Sequence, residues 1–449
     1  MIEDQGFERR SVLAGIGAAA ATAAALPASA AATKKAFPNG FSWGASTAGY
    51  QVEGNNVNAD LWLMEHIKPQ TFTDLSGDAD DSYHRWRDDI ALMKAIGLNA
   101  YRFSIEWSRI EPARGQFSRA ELDHYKRFIA ALRDAEIEPV MTFFHVAAPR
   151  WFAEAGGWLN PESPDLFANY CDKAMRALGG EIGIACTINE PQVGLTYRVI
   201  PQANAYFGKE DARQLEAHRE ASRVSGSTRY VTMNHPDVKG MTPQLMAAHE
   251  RSVAAIKAVR RNVPTGVTLN IVDFQPANEG SKYRELRKLA FGPWLEVAAR
   301  SGDFVGGQAY RQVRVPGSGA KLPGFPEMPF VAASEEQEVI KQPVALRNAV
   351  EYVHAETRKP ILVTENGLET HDDRRRAWYI PQALSELHGA IAGGVPVIGY
   401  LHWSLLDNFE WLLGYSKQFG LATVDRETFA RKLKPSAAVY RSIIRRNAV

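Results

Sequence analysis

From Phe37 onward, short apolar runs rich in β-branched and aromatic residues alternate with longer stretches whose apolar positions recur at helical spacing. The short runs predict strands over Gly40–Ala45, Ala100–Ile105, Pro139–Phe144, Ile184–Ile188, Gly266–Ile271, Phe304–Gly307, Pro360–Thr364 and Val397–Leu401. The longer stretches predict helices over Ser82–Ile96, Arg119–Glu136, Ser163–Leu178, Pro243–Arg261, Tyr283–Arg300, Pro343–Glu356 and Arg374–Ala392. Ser118, three residues before Glu121, reads as a capping box, and Gly97 and Gly393 read as helix stops. Strands that alternate with helices argue for a parallel sheet, and eight of them predict an α/β fold, a closed (β/α)8 TIM barrel in a single domain. No repeat, low-complexity linker or charge shift divides residues 34–449. The least regular segment, residues 198–240, is polar and holds a helical stretch at Gln214–Arg223. It reads as an enlarged loop over the active face after the fourth strand, or as a plain surface insertion.

Polar residues interrupt the strands at or near their C-terminal ends: Gln51, Arg102, His145, Asn189, Glu190, Tyr310, Glu365, Asn366 and Trp403. In a barrel these ends converge on one mouth. A carboxylate ending the fourth strand and another ending the seventh would face each other across it. Two facing carboxylates without metal ligands beside them suit cleavage of a glycosidic bond: one protonates the leaving oxygen while the other attacks or activates water.

Charge narrows the partner. Lys+Arg total 52 against Asp+Glu 51, a net charge of +1, which leaves no footprint for nucleic acid or an anionic membrane and favours a neutral substrate. The two cysteines, Cys171 and Cys186, are too few for a disulfide framework and lack C-x-x-C spacing, so two buried thiols are expected, with one bridge as the alternative. The acidic run Asp74–Asp81 and the Arg374-Arg375-Arg376 triplet read as solvated helix starts. The first thirty residues read as a leader. Arg9-Arg10 precedes a weakly apolar Ala/Gly run and an Ala28-Ser29-Ala30 site, the pattern of a twin-arginine export signal cleaved after Ala30. The expected location is therefore the periplasm or the outside of the cell, with no membrane contact after cleavage.

Thr187-Ile188-Asn189-Glu190-Pro191 and Thr364-Glu365-Asn366-Gly367 resemble the paired motifs of glycoside hydrolase family 1, the β-glucosidase family. The resemblance runs from Phe37 to about Ser442 and is collinear through Phe41–Gly54, Tyr101–Ile110 and Trp403–Trp411. It implies a retaining β-glycosidase that removes a terminal β-linked sugar from a small glycoside by double displacement, without cofactor or metal. It implies Glu190 as acid/base and Glu365 as nucleophile, supported by Arg102 and Tyr310. Gln51, His145, Asn189, Tyr310, Trp403, Glu410 and Trp411 would bind the sugar. Arg102 is expected to keep Glu365 ionised, since a nearby cation lowers a carboxylate's pKa.

The chain departs from the family pattern beside the sugar. His145-Val146-Ala147-Ala148-Pro149 stands where family members usually carry His-Trp-Asp-Leu-Pro, and Gln308-Ala309-Tyr310 where Asn-Tyr-Tyr is usual. These changes leave both glutamates intact and open the choice of sugar. Three rival functions share the framework. A 6-phospho-β-glycosidase would lack the acidic Glu410, which repels phosphate. A sugar-binding pseudoenzyme would have lost one carboxylate. A transglycosylating member would use the same residues and differ only in its products.

Overall fold

The computed structural model describes residues 35–198, 204–315, 317 and 343–449. The expected leader over residues 1–30 lies outside them. Lys35–Val449 forms one compact unit. Eight parallel strands close into a barrel in chain order: β1 (Ser42–Ser46), β2 (Ala100–Ser104), β3 (Glu138–Phe144), β4 (Ile184–Asn189), β5 (Thr265–Asn270), β6 (Phe304–Gln308), β7 (Ile361–Asn366) and β8 (Val397–Trp403). β8 returns to β1 and sets Trp403 opposite Ser46. Helices α1 (Ser82–Ile96), α2 (Arg119–Asp134), α3 (Ser163–Leu178), α4 (Val238–Val259), α5 (Tyr283–Arg300), α6 (Val344–Thr357), α7 (Asp373–Ala392) and α8 (Pro435–Arg446) follow the strands in turn. The expected (β/α)8 barrel is the observed fold.

The strands read as near-continuous apolar runs because both faces are covered, one by helices and one by the barrel interior. α2 buries Tyr125, Phe128, Ile129 and Leu132, one stripe at helical spacing. Ser118 caps this helix by accepting from the Glu121 N–H at 3.3 Å, but Glu121 does not reach back; its carboxylate accepts from the Tyr83 hydroxyl instead. α4 begins at Val238, five residues before the expected start at Pro243, because Asp237 caps it through the Gly240 N–H. In the segment after β4, one helix spans Asn204–Ser225, longer than the expected Gln214–Arg223. Ala217 and Ala221 on it, with Tyr230 beyond it, pack against Leu61 and Met64 of the loop after β1. The expected pair of thiols is present: Cys171 and Cys186 are both free and buried.

Strands β4, β6, β7 and β8 run one or two residues beyond their expected ends, to Asn189, Gln308, Asn366 and Trp403. Two of them also change face. Cys186 packs in the barrel interior while Thr187 bonds His249 of the outer α4, so strict alternation would turn Asn189 outward. Leu362 and Thr364 likewise share the interior side of β7, which would turn Glu365 outward. Register shifts between Cys186 and Asn189, and opposite Glu365 between Gly307 and Gln308, reverse both. Such irregularities re-aim side chains near functional sites.

Gly367 follows β7 where no side chain fits: a Cβ there would lie 2.0 Å from the Trp403 carbonyl oxygen. Gly367→Ala should therefore push β7 and β8 apart at the mouth and cost about 1–3 kcal/mol, a typical penalty for overpacking. Urea unfolding of the variant beside the parent chain checks this, and an unchanged midpoint would contradict the contact.

Candidate active site

Arg102 is the hub of the mouth. It projects inward from β2 and is fully buried. Its Nη1 donates to Glu365 Oε1 at 2.6 Å, its Nη2 to Asn189 Oδ1 at 2.6 Å, and its Nε to Thr142 Oγ1 at 3.0 Å. Glu365 Oε2 accepts from the Tyr310 hydroxyl at 2.5 Å. Asn189 Oδ1 also accepts from Thr268 at 2.9 Å and from Gln308 Nε2 at 2.8 Å, while its Nδ2 meets His145 Nε2 at 2.9 Å. With one Nδ2 hydrogen on His145, the amide keeps a single free donor.

The two glutamates sit in different surroundings. Glu190, the residue after β4, takes φ 47° and accepts at Oε1 from Asn270 Nδ2 at 2.7 Å. Burial and then the charge of Glu365 push its carboxyl up to about 8. It keeps some solvent contact at the mouth, so crowding by protein rather than complete dryness drives this rise. At Glu365 opposing effects meet. Arg102 and Tyr310 do pull it towards the charged form, but burial is the larger effect and holds it above the ordinary carboxylate range. What separates the pair is the cation: Glu365 has one at 2.6 Å, and Glu190 has only an amide.

An aromatic wall stands beside this pair. The His145 ring lies 5.8 Å from Trp403 and 5.9 Å from Trp411, and Trp411 stacks on Tyr50 at 6.0 Å. Trp403 Nε1 donates to Glu410 Oε1 at 3.2 Å. Glu410 is pushed up to about 8, first by burial and further by Glu365. Burial and the Arg102 charge hold His145 well below its ordinary value, so it is neutral. Because its Nε2 accepts from Asn189, its Nδ1 carries the hydrogen. Gln51 donates to Asn408 at 3.1 Å and to the Phe409 carbonyl at 2.7 Å. Among the described residues, His145 Nδ1, Gln51 Oε1 and Gln308 Oε1 are buried without hydrogen-bond partners.

The structure thus gathers Gln51, Arg102, His145, Asn189, Glu190, Tyr310, Glu365, Trp403, Glu410 and Trp411 into one contact network at the C-terminal mouth. Gln51 stands on a short helical turn, Gly49–Val52, rather than on a strand end. Asn366 turns away and donates to the Ala309 carbonyl and to Tyr379. Sequence reasoning missed Asn270, Thr142 and Thr268. Asn270 carried a usable signal, a polar residue ending an apolar run, which Ile271 disguised by extending the run. Among the described residues, no group of three or more His, Cys, Asp and Glu could hold a metal ion.

These shifts predict how stability depends on pH. Asp60, Glu106, Glu190 and Glu410 are each raised to about 8 from ordinary values of 3.8 or 4.5. Between those limits the folded chain holds protons that the unfolded chain releases, so these groups make stability fall as pH rises. His145 and His402, lowered from 6.5, act in the opposite sense, but only below that value. The melting temperature should therefore decline between pH 6.5 and about 8, and decline less in Glu410→Gln. Calorimetry across that range checks both, and a flat or rising curve would count against the buried protonated acids.

The profile of glycosyl hydrolase family 1 matches residues 33–318 and 326–449. The thermostable β-glucosidase B of Thermobispora bispora is 31% identical over 446 residues, covering 92% of this chain and 91% of that one. The cyanidin 3-O-glucoside 7-O-glucosyltransferase (acyl-glucose) of Delphinium grandiflorum is 30% identical, covering 91% and 90%. Among solved structures, the apo form of a β-glucosidase designated 1317 is 37% identical and superposes with a TM-score of 0.84 over 91% of this chain and 99% of that one. The chain belongs to glycosyl hydrolase family 1.

Proposed function

We propose that this mouth removes a terminal β-linked sugar from a small glycoside by double displacement, with Glu365 as nucleophile and Glu190 as general acid and then base. One observation carries the assignment: two carboxylates share a buried mouth, and only Glu365 has a guanidinium and a phenol on its oxygens. An anion held in place can attack an anomeric carbon, and a neighbour raised to about 8 keeps a proton to give. Glu365 Oε bonds the carbon as the Glu190 proton passes to the departing oxygen. Glu190, now charged, takes a proton from water as the oxygen of that water displaces Glu365. Such a mechanism requires carboxyl groups about 5–5.5 Å apart.

The remaining side chains hold the sugar. Trp403 offers a flat face to the ring, and the free Asn189 N–H offers a donor beside the nucleophile. Gln51, His145, Glu410 and Trp411 face the outer hydroxyls, and Tyr310 steadies Glu365. The pattern of the first thirty residues supports export of this activity from the cytoplasm. An alcohol taking the place of water would give transfer instead of hydrolysis, a second reading favoured by the Delphinium relative, which is named a glucosyltransferase.

Glu365→Gln should lose activity on every glycoside. Glu190→Gln should lose about 10²–10⁴-fold on poor leaving groups and far less on activated aryl glycosides, since only the poor ones need the proton. Proton NMR of the first-formed sugar should show the β anomer, and an added alcohol should reveal any transfer product. An α anomer appearing first, or wild-type turnover by Glu365→Gln, would overturn the assignment.

A further inference from the structure

The turn that carries Glu190 is tied back to β5 at three points. The Glu190 N–H donates to the Thr268 carbonyl at 2.9 Å. Glu190 Oε1 accepts from Asn270 Nδ2 at 2.7 Å. Gln192, two residues on, sends its Nε2 to the Asn270 carbonyl at 2.7 Å. Asn270 is buried, while the Glu190 carboxyl that it holds reaches the mouth. Among the described residues, Asn270 makes the one side-chain hydrogen bond to the Glu190 carboxyl.

That bond breaks the symmetry of the carboxyl. A protonated carboxyl accepts well through its carbonyl oxygen and donates through its hydroxyl oxygen. An N–H fixed on Oε1 makes Oε1 the carbonyl oxygen and leaves Oε2 to carry the hydrogen. The φ of 47° at Glu190 means that its backbone direction is itself unusual and needs such support.

We propose that Asn270 is the positioning residue for proton transfer at this site, holding Glu190 so that Oε2 alone gives and takes the proton. The inference rests on the acid/base assignment of Glu190 above. In the first step the Oε2–H bond breaks, the proton joins the departing oxygen, and that oxygen keeps the electron pair of its broken bond to carbon. In the second step a water O–H bond breaks, the proton returns to Oε2, and the water oxygen bonds the carbon. Oε1 accepts from Asn270 throughout. Arg102 on β2, Glu365 on β7, Tyr310 after β6 and Glu410 after β8 also act on Glu190, and none of them donates a hydrogen bond to it.

Asn270→Leu keeps the size and removes the donor, and Asn270→Ala and Asn270→Ser keep the test available should the leucine variant not fold. Each is compared with Glu190→Ala on aryl β-glucosides of graded leaving-group acidity, with and without azide as an external nucleophile. The expected result is a steeper dependence on leaving group. The kcat/KM should fall about 10-fold or more for the poorest leaving groups, part of the range general acid catalysis supplies, and little for the most activated. The basic limb of the pH profile should also move to higher pH, because the lost N–H stabilised the anion. A merely structural role would slow all substrates alike and leave the limb in place, and that outcome overturns the proposal. Selective loss in Glu190→Ala with rescue by azide, alongside unaltered Asn270 variants, refutes the role of Asn270 and leaves Glu190 as acid/base. A Glu190→Ala variant indifferent to leaving group and azide removes both.

Discussion

A guanidinium buried at the centre of a barrel mouth sets the terms for everything around it. Arg102 has no water to fall back on, and an unpaired buried ion costs several kcal/mol. Its donors are met by Thr142, Asn189, Thr268 and Glu365, so side chains from β2, β3, β4, β5 and β7 close on one cation. Strands joined only by their ladders are thereby registered at their ends as well. The same pairing keeps Glu365 close to the ionised state that burial alone would deny it.

One cation among three carboxylates then decides the proton inventory. Arg102 sits on Glu365, and the charge of Glu365 pushes on both Glu190 and Glu410. Each of those two, crowded by protein and without a cation, rises to about 8. The asymmetry that glycoside cleavage needs is thus a by-product of where the single positive charge is placed. It does not require a driest and a wettest glutamate. The neutral His145 fits the same scheme: burial first, and then repulsion by Arg102, disfavours a second cation there.

Much of this was legible in the chain. Eight apolar runs alternating with amphipathic stretches gave the barrel, and the polar residues at their ends marked the mouth. Strand ends were misjudged at the mouth, because Asn189, Gln308, Glu365 and Trp403 interrupt the apolar pattern that defines a strand. The register shifts that turn Asn189 and Glu365 inward leave no mark in hydropathy, since they depend on pairing between strands far apart in sequence. Charge also misled. Arg376, taken for a solvated helix start, is fully buried and donates to the carbonyls of Leu368, Thr370 and Gln418. Asp80, in the acidic run, is buried against Arg426. A lone sequence does not distinguish a surface charge from one buried by the fold, whether its partners lie nearby in the chain, as for Arg376, or hundreds of residues away, as for Asp80.

The walls of the mouth follow a second constraint, local strain held by neighbours. Val146, Glu190 and Trp411 have φ of 69°, 47° and 51°, a region that costs non-glycine residues about 1–3 kcal/mol each. Each is braced by a different buried group. Asp60 fixes the turn after Val146 by accepting from the Ala148 N–H at 2.9 Å, while its own N–H donates to the Ala148 carbonyl at 2.8 Å. Trp411 lies against Tyr50, whose hydroxyl donates to the buried Glu65 at 2.6 Å; Ser76 holds the other Glu65 oxygen at 2.8 and 2.9 Å. Glu190 has Asn270. Since β-branched residues tolerate positive φ worst, the conformation at Val146 is the least expected of the three, and it lies in the segment where the chain departs from its family. The brace at Asp60 reaches into the loop after β1, and Tyr230, after β4, donates to the Asp60 carbonyl at 2.8 Å. This wall of the mouth is therefore fixed jointly by the loops after β1, β3 and β4, so a change in any of them alters the shape of the mouth.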